Sequence, residues 1–221
     1  MNLAPVILFV YNRPEHTLKT LEALQANELS SQTELYVFCD GAKSNATSEQ
    51  LEKISQTRQV IRKQKWCANV HIEESETNKG LAASIISGVS KVIEKHSRAI
   101  VLEDDIVTGR HFLTYMNKAL DLYKDSPDVW HINAWTNPVK ATDPTGTFIY
   151  PVMECWGWAT WADRWQYYKK DSEYYYKKFT RKDIYHFNSE GTENRWKQVL
   201  RNRSGKLNTW AIFWAATIFE H

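Results

Sequence analysis

Cysteine is scarce in this 221-residue chain, with 3 copies, and the scarcity excludes two architectures. Cys39, Cys67 and Cys155 are odd in number, far apart and without CxxC spacing, so neither a disulfide framework nor a structural zinc site is indicated. That usage suits a reducing, cytoplasmic setting, in which the N-glycosylation triplets at Asn45 and Asn202 carry no weight. No apolar run approaches the roughly 20 residues of a membrane span; the longest early one, Val6 to Tyr11, has strand length and lacks a basic segment before it. Charge of one sign is lacking too. With 28 basic and 26 acidic residues the net charge is +2, and there is no acidic tail and no long basic block, which argues against a nucleic-acid partner. What is plentiful is aromatic: 10 Trp and 11 Tyr, crowded between Trp130 and Trp214. Flat rings of this kind either fill a core or offer platforms to the C–H faces of sugars, and composition alone does not choose between the two.

The length fits one α/β domain, and 43% hydrophobic residues are ample for a core. Short β-type runs alternate with longer helical patterns through the first half, the pattern of βαβ units and a mainly parallel, Rossmann-like sheet flanked by helices. Val6 to Val10 predicts a strand buried on both faces, and Pro14 opens a helix carrying Leu18, Leu21 and Leu24. Leu35 to Cys39 predicts the second strand, and Thr47 with Gln50 forms a capping-box signature for the next helix. Val70 to Ile72 is a weak third strand. Leu81, Ile85, Val89, Val92 and Ile93 recur at helical spacing after Asn78-Lys79-Gly80, and Ala99 to Leu102 predicts a fourth strand that delivers Glu103-Asp104-Asp105. A helix bearing Phe112, Tyr115, Met116 and Leu120 follows. Beyond Asn133, the span Thr136 to Gly146 predicts a long loop of the kind that covers substrates, Phe148 to Val152 a strand, and everything from Trp156 onward an aromatic, helical acceptor side.

Ligands of open α/β sheets bind beyond the carboxyl ends of the strands, which is where Asn12, Asp40 and Asp105 fall. Three adjacent carboxylates repel one another and add little packing, so they call for a compensating cation or basic partners. A hard divalent ion, Mn²⁺ or Mg²⁺, answers this economically, held by Asp105 and Glu103, which strand alternation puts on one side. The plainer reading is a solvated acidic turn before a helix. Asp40 suits a hydrogen bond to a ribose or base, or else a simple Asp-Gly turn. Arg13 and Lys79 are candidate phosphate contacts, and Gly80 lets backbone approach a ligand and start a helix. His71, His96, His131 and His186 sit in separate contexts without ligand-like pairing.

The order of Pro5 to Arg13, Phe38-Cys39-Asp40, Asn78-Lys79-Gly80, Val101 to Asp105, Val129 to Trp135 and Cys155 to Trp158 resembles GT-A glycosyltransferases over nearly the whole chain. It is most similar to bacterial family 2-like sugar transferases and, more distantly, to the N-acetylglucosaminyltransferase I group, whose metal motif is also EDD. The resemblance implies a single GT-A domain over residues 1–221, with a nucleotide-sugar-binding half at about 1–107 and an acceptor-side half at about 108–221. It implies an enzyme of hexosyl- or N-acetylhexosaminyl-transferase type that takes a nucleotide-sugar donor, usually a UDP-sugar, and a glycan or lipid-linked acceptor, in bacterial surface polysaccharide synthesis. Donor contacts would fall to Asn12, Arg13, Asp40, Lys79, Gly80, Glu103 and Asp104, the metal to Asp105 with Glu103, and the acceptor to Asn133, Trp135, Trp156, Gly157 and Trp158. The chain departs from the family at the general base: the Trp-flanked stretch Asn208 to Trp214, where eukaryotic relatives hold an acidic pair, has no carboxylate. Glu154 is the substitute, and Asp163 the second choice. Relatives also continue past His221 to a metal-shell histidine, so the chain reads as C-terminally truncated. The implied setting is the cytoplasm, with at most peripheral contact at the inner face of the membrane.

Two other classes compete. A sugar nucleotidyltransferase shares the Rossmann-like half, but it opens on a Gly-rich loop and this chain has Tyr11-Asn12-Arg13-Pro14 there. A non-catalytic nucleotide- or carbohydrate-binding module is the other alternative, favoured by the missing base.

Overall fold

The computed structural model describes residues 3–136 and 147–221. The chain divides into two compact units, one of Met1–Ala134 with Trp156–Gln166, the other of Trp135–Cys155 with Tyr167–His221.

The first unit is built on a sheet of six strands in the order β3-β2-β1-β4-β6-β5. β1 (Val6–Val10) carries five buried apolar residues in succession, the signature of a central strand covered on both faces. It pairs in parallel with β2 (Glu34–Cys39) and β4 (Arg98–Glu103), and β2 pairs in parallel with β3 (Asn69–Glu74). The remaining strands are antiparallel neighbours: β6 (Trp158–Trp161) lies against β4, and the two-residue β5 (Ile132–Asn133) against β6. The fold is thus α/β with a mixed, mainly parallel sheet.

Strand alternation sorts the core into two layers. Val6, Leu8, Val10, Leu35, Val37, Ile100 and Leu102 face Leu21 and Leu24 of α1 (Pro14–Gln25), Ile61 of α2 (Ser48–Arg62) and Phe112, Leu113, Met116 and Leu120 of α4 (Phe112–Leu122). On the opposite face α3 (Leu81–His96) comes so close that a Cβ on Gly88 would sit 2.7 Å from the Phe9 ring. α5 (Ala162–Trp165) joins α3 there, where Trp165 Nε1 donates to Ser90 Oγ at 2.9 Å. The expected starts hold: Pro14 opens α1, and Thr47 and Gln50 form a reciprocal capping box on α2.

Two expectations fail. Phe148 to Val152 is not a strand, and Phe148, Ile149 and Tyr150 are exposed at 52, 72 and 56%. The strand lies instead at Trp158–Trp161, inside the stretch expected to be helical, with all four residues buried. Trp-Ala-Thr-Trp is too short for periodicity to separate strand from helix, and it is pairing with both β4 and β5 that makes it a strand. The loop expected over Thr136 to Gly146 lies outside the described residues from 137 onward.

The second unit is helical: α6 (Ser172–Lys178), α7 (Arg181–Phe187), α8 (Trp196–Arg203) and α9 (Ala211–Glu220). Its core is Tyr175, Phe179, Phe187, Trp196, Val199, Ile212, Phe213 and Ala216, so much of the aromatic surplus here is packing. Phe179 stacks on Trp196 with centroids 5.6 Å apart, and Tyr175 meets Phe179 edge-on at 5.4 Å. On α9, Phe219 is 38% exposed, whereas Phe213 and Trp214 are buried. Among the described residues no helix is long and apolar enough to cross a membrane.

Gly157 precedes β6 at φ +72°, and its carbonyl accepts from the Ala134 amide at 2.9 Å. A Cβ there would meet the Phe112 ring at 3.2 Å. Gly157→Ala is expected to lower stability by about 1–2 kcal/mol, the cost of a left-handed L-residue, read as a lower urea midpoint with an unchanged m-value.

Candidate functional site

Parallel pairing brings the carboxyl ends of β1, β2 and β4 to one edge of the sheet, and the candidate residues collect there. Glu103 is the last residue of β4, and Asp104 and Asp105 form the turn after it. Asp104 is buried and Asp105 exposed. Arg13, the residue before α1, crosses from the end of β1 and pairs with both: its Nη1 lies 3.0 Å from Asp105 Oδ2 and 3.4 Å from Asp104 Oδ1. Thr20 on α1 donates to the Asp104 carbonyl at 3.0 Å, so the same helix that positions Arg13 also holds the acidic turn.

The three carboxyls do not share their surroundings. Burial pushes Glu103 up to about 7, helped by the charges of Asp105 and Asp104 and opposed by Arg13. Burial also raises Asp104, against Arg13, a hydrogen bond from the Tyr11 backbone and the charge of His16. The triplet thus concentrates more negative charge than one guanidinium relieves. All its donors are carboxylate oxygens, the hard ligands that suit Mg²⁺ or Mn²⁺. Among the described residues no group of three or more His, Cys, Asp or Glu side chains converges as a metal cage. The donor set therefore fits an ion that takes one or two carboxylates and completes its shell from phosphate and water.

Asp40 is buried at the end of β2 and binds backbone. Oδ1 accepts from the amides of Gly41 at 2.9 Å and Lys79 at 2.8 Å, and Oδ2 accepts from the Gly80 amide at 2.9 Å. It thereby ties the β3–α3 loop to β2. Asn78 Nδ2 reinforces the tie by donating to the Gly41 carbonyl at 2.9 Å. The two loops pass so closely that a Cβ on Gly41 would lie 2.5 Å from the Thr77 backbone, so no side chain fits. Gly80 heads α3 beside open space, and Asn12, half-buried, follows β1 at the same edge.

Register places part of the expected acceptor set at this edge too. Trp158 is opposite Val101 and Asn133 is opposite Trp158, and a Cβ on Gly157 would lie 3.6 Å from the Leu102 side chain. Trp156 is 51% exposed, whereas Trp158 is 1% exposed and belongs to the core. Trp135 and Glu154 belong to the second unit. Burial raises the Glu154 carboxyl, Arg195 lowers it and Glu193 raises it again. Asp163 is at the far end: β6 runs antiparallel to β4, Trp161 pairs with Arg98, and the Ala162 amide reaches the Ser97 carbonyl at 2.8 Å. There its carboxylate pairs with the buried Arg164 at 2.6 Å. Five β4 residues, about 16 Å of strand, separate that pair from Glu103.

Neither a protein-family model nor a curated protein sequence matches the chain. Among solved structures it is similar to an active-site mutant of LgtC, with a TM-score of 0.50 and 7% identity over 97% of this chain and 70% of that one. The fold is that of the GT-A glycosyltransferases. A further match, S. aureus TarS, has a TM-score of 0.39 and 15% identity over 55% of this chain, which spans only 20% of TarS.

The Arg13 contact was not legible in the sequence, since nothing in the spacing of 13 and 104 announces it. Asp40 was legible as a residue of this edge but not as an anchor. Asp40→Asn, which leaves one oxygen to serve three amides, is expected to cost about 1.5–3 kcal/mol of stability and to speed amide exchange at Lys79 and Gly80. Denaturant unfolding with hydrogen-exchange mass spectrometry reads both.

Proposed function

We propose that this GT-A chain is a metal-dependent glycosyltransferase that moves a sugar from a nucleotide-sugar, a UDP-sugar by preference, to a hydroxyl of a glycan or lipid-linked acceptor. The observation that carries this reading is the set of carboxylates at the end of β4, faced by Arg13 from the end of β1. Hexose or N-acetylhexosamine is the proposed cargo and surface polysaccharide synthesis the proposed pathway class, both by resemblance. Work at the cytoplasmic face of a membrane is proposed on the same ground.

Asp105, the most exposed of the triplet, and Glu103 would hold the ion, Mn²⁺ or Mg²⁺, which when bound supplies Lewis-acid stabilisation of the departing diphosphate. Asp104, tied to Tyr11 and Arg13, keeps the turn in place. Arg13 is 53% exposed and long enough to serve a phosphate once the acidic pair is otherwise neutralised. Lys79 and Gly80, held by Asp40, would border the donor, and Trp156 would stack on a sugar face. Asp163, paired with Arg164 at the opposite sheet end, is set aside as the base, which leaves Glu154 with its raised carboxyl for that role.

The test is release of nucleoside diphosphate from a panel of nucleotide-sugars with Mn²⁺ and saccharide acceptors. Asp105→Ala is expected to reduce kcat/KM on the order of 100- to 1000-fold. Glu154→Gln should reduce kcat about 10²–10⁴-fold with little change in donor KM. Full turnover in Asp105→Ala would contradict the metal assignment, and full turnover in Glu154→Gln would remove Glu154 as the base.

A further inference from the structure

The second unit carries a run of cations of which only Arg195, which faces Glu154 and pairs with Glu193, has a role above. From Asn194 to Phe219 the basic residues are Arg195, Lys197, Arg201, Arg203 and Lys206, and there is no Asp or Glu. α8 buries Trp196 and Val199 and exposes Lys197, Gln198, Leu200 and Arg201. One residue is 100° of helix, so Leu200 projects between Arg203 on one side and Lys197 and Arg201 on the other. Arg203, at the end of α8, lies 3.7 Å over the ring of Tyr176 on α6, and its Nε donates to Glu173 at 2.6 Å. Lys177 also reaches Glu173, at 3.4 Å. The acidic residue of this face is therefore already neutralised, and among the described residues Lys197, Arg201 and Lys206 form no ion pair.

A charged face of this kind has an apolar centre. Leu200, flanked by Arg203, Lys197 and Arg201, is 39% exposed, and Tyr176 under Arg203 is 45% exposed. A soluble polyanion rewards only the cations. A bilayer with anionic headgroups rewards both, because guanidinium and ammonium groups stay at headgroup level while Leu and Tyr side chains enter the boundary below them. We infer that the α6–α8 face, through Lys197, Arg201, Lys206, Leu200 and Tyr176, docks on an anionic phospholipid surface. Under the transferase reading this would bring the enzyme to a lipid-linked acceptor, but the docking itself does not depend on that reading.

Co-sedimentation of the intact chain with vesicles of phosphatidylcholine alone, or with about a third phosphatidylglycerol, tests it. Each cation near an anionic surface weights binding by a factor of about five. The chain is expected to bind only the phosphatidylglycerol vesicles and to release them as salt rises. K197E/R201E, checked for folding by circular dichroism, should lose at least tenfold in affinity. Leu200→Ser should weaken vesicle binding severalfold while leaving binding to inorganic polyphosphate unchanged. Absence of phosphatidylglycerol-dependent binding, or binding indifferent to K197E/R201E, would overturn the inference. Vesicle binding indifferent to Leu200→Ser and abolished by polyphosphate would name a soluble polyanion instead. No step uses a donor, so failure here leaves the transferase reading standing.

Discussion

Three carboxylates in succession at the end of a strand are a constraint that the surrounding structure has to answer. Burial at the end of β4 raises Glu103 and Asp104, and the neighbouring carboxylates add to both shifts while Arg13 opposes them. The answer visible in the fold is α1. Pro14 starts the helix immediately after Arg13, Thr20 binds the carbonyl of Asp104, and the guanidinium is thereby aimed at the pair it partly neutralises. A single exposed cation against three carboxyls leaves negative charge in excess, which is the condition under which a divalent ion binds best.

Asp40 answers a different constraint with the same chemistry. The β3–α3 loop must pass within contact of the residue after β2, and Gly41 allows it by having no side chain. The Asp40 carboxylate then collects the amides that start α3. Anchoring of this kind is what fixes a binding edge in place, because loops placed by buried hydrogen bonds keep their geometry when a ligand arrives. The two anchors, Arg13 on the acidic turn and Asp40 on the α3 start, lie on either side of β1.

The parallel core was readable because its signals are local: a five-residue apolar run, a Pro at a helix start, a reciprocal Thr47–Gln50 cap, and α3 apolar residues at 3.6 spacing. β6 was not, because Trp-Ala-Thr-Trp acquires strand character from long-range partners in β4 and β5. The same limit applied to Asp163. Its place at the wrong end of the sheet follows from the antiparallel register of β6, which no local pattern carries. The cations from Arg195 to Lys206 make no block in the sequence, because they interleave with core residues Trp196 and Val199, and only the helix separates the two faces.

Under the proposed function, the end of β4 would hold a nucleoside diphosphate through a divalent ion. Calorimetric titration of UDP, GDP and CDP into the chain, with and without Mn²⁺, tests it most directly. Heat is expected only with Mn²⁺, largest for UDP and absent in folded Asp105→Ala. Binding of equal strength without Mn²⁺, or binding that survives in Asp105→Ala, would contradict it.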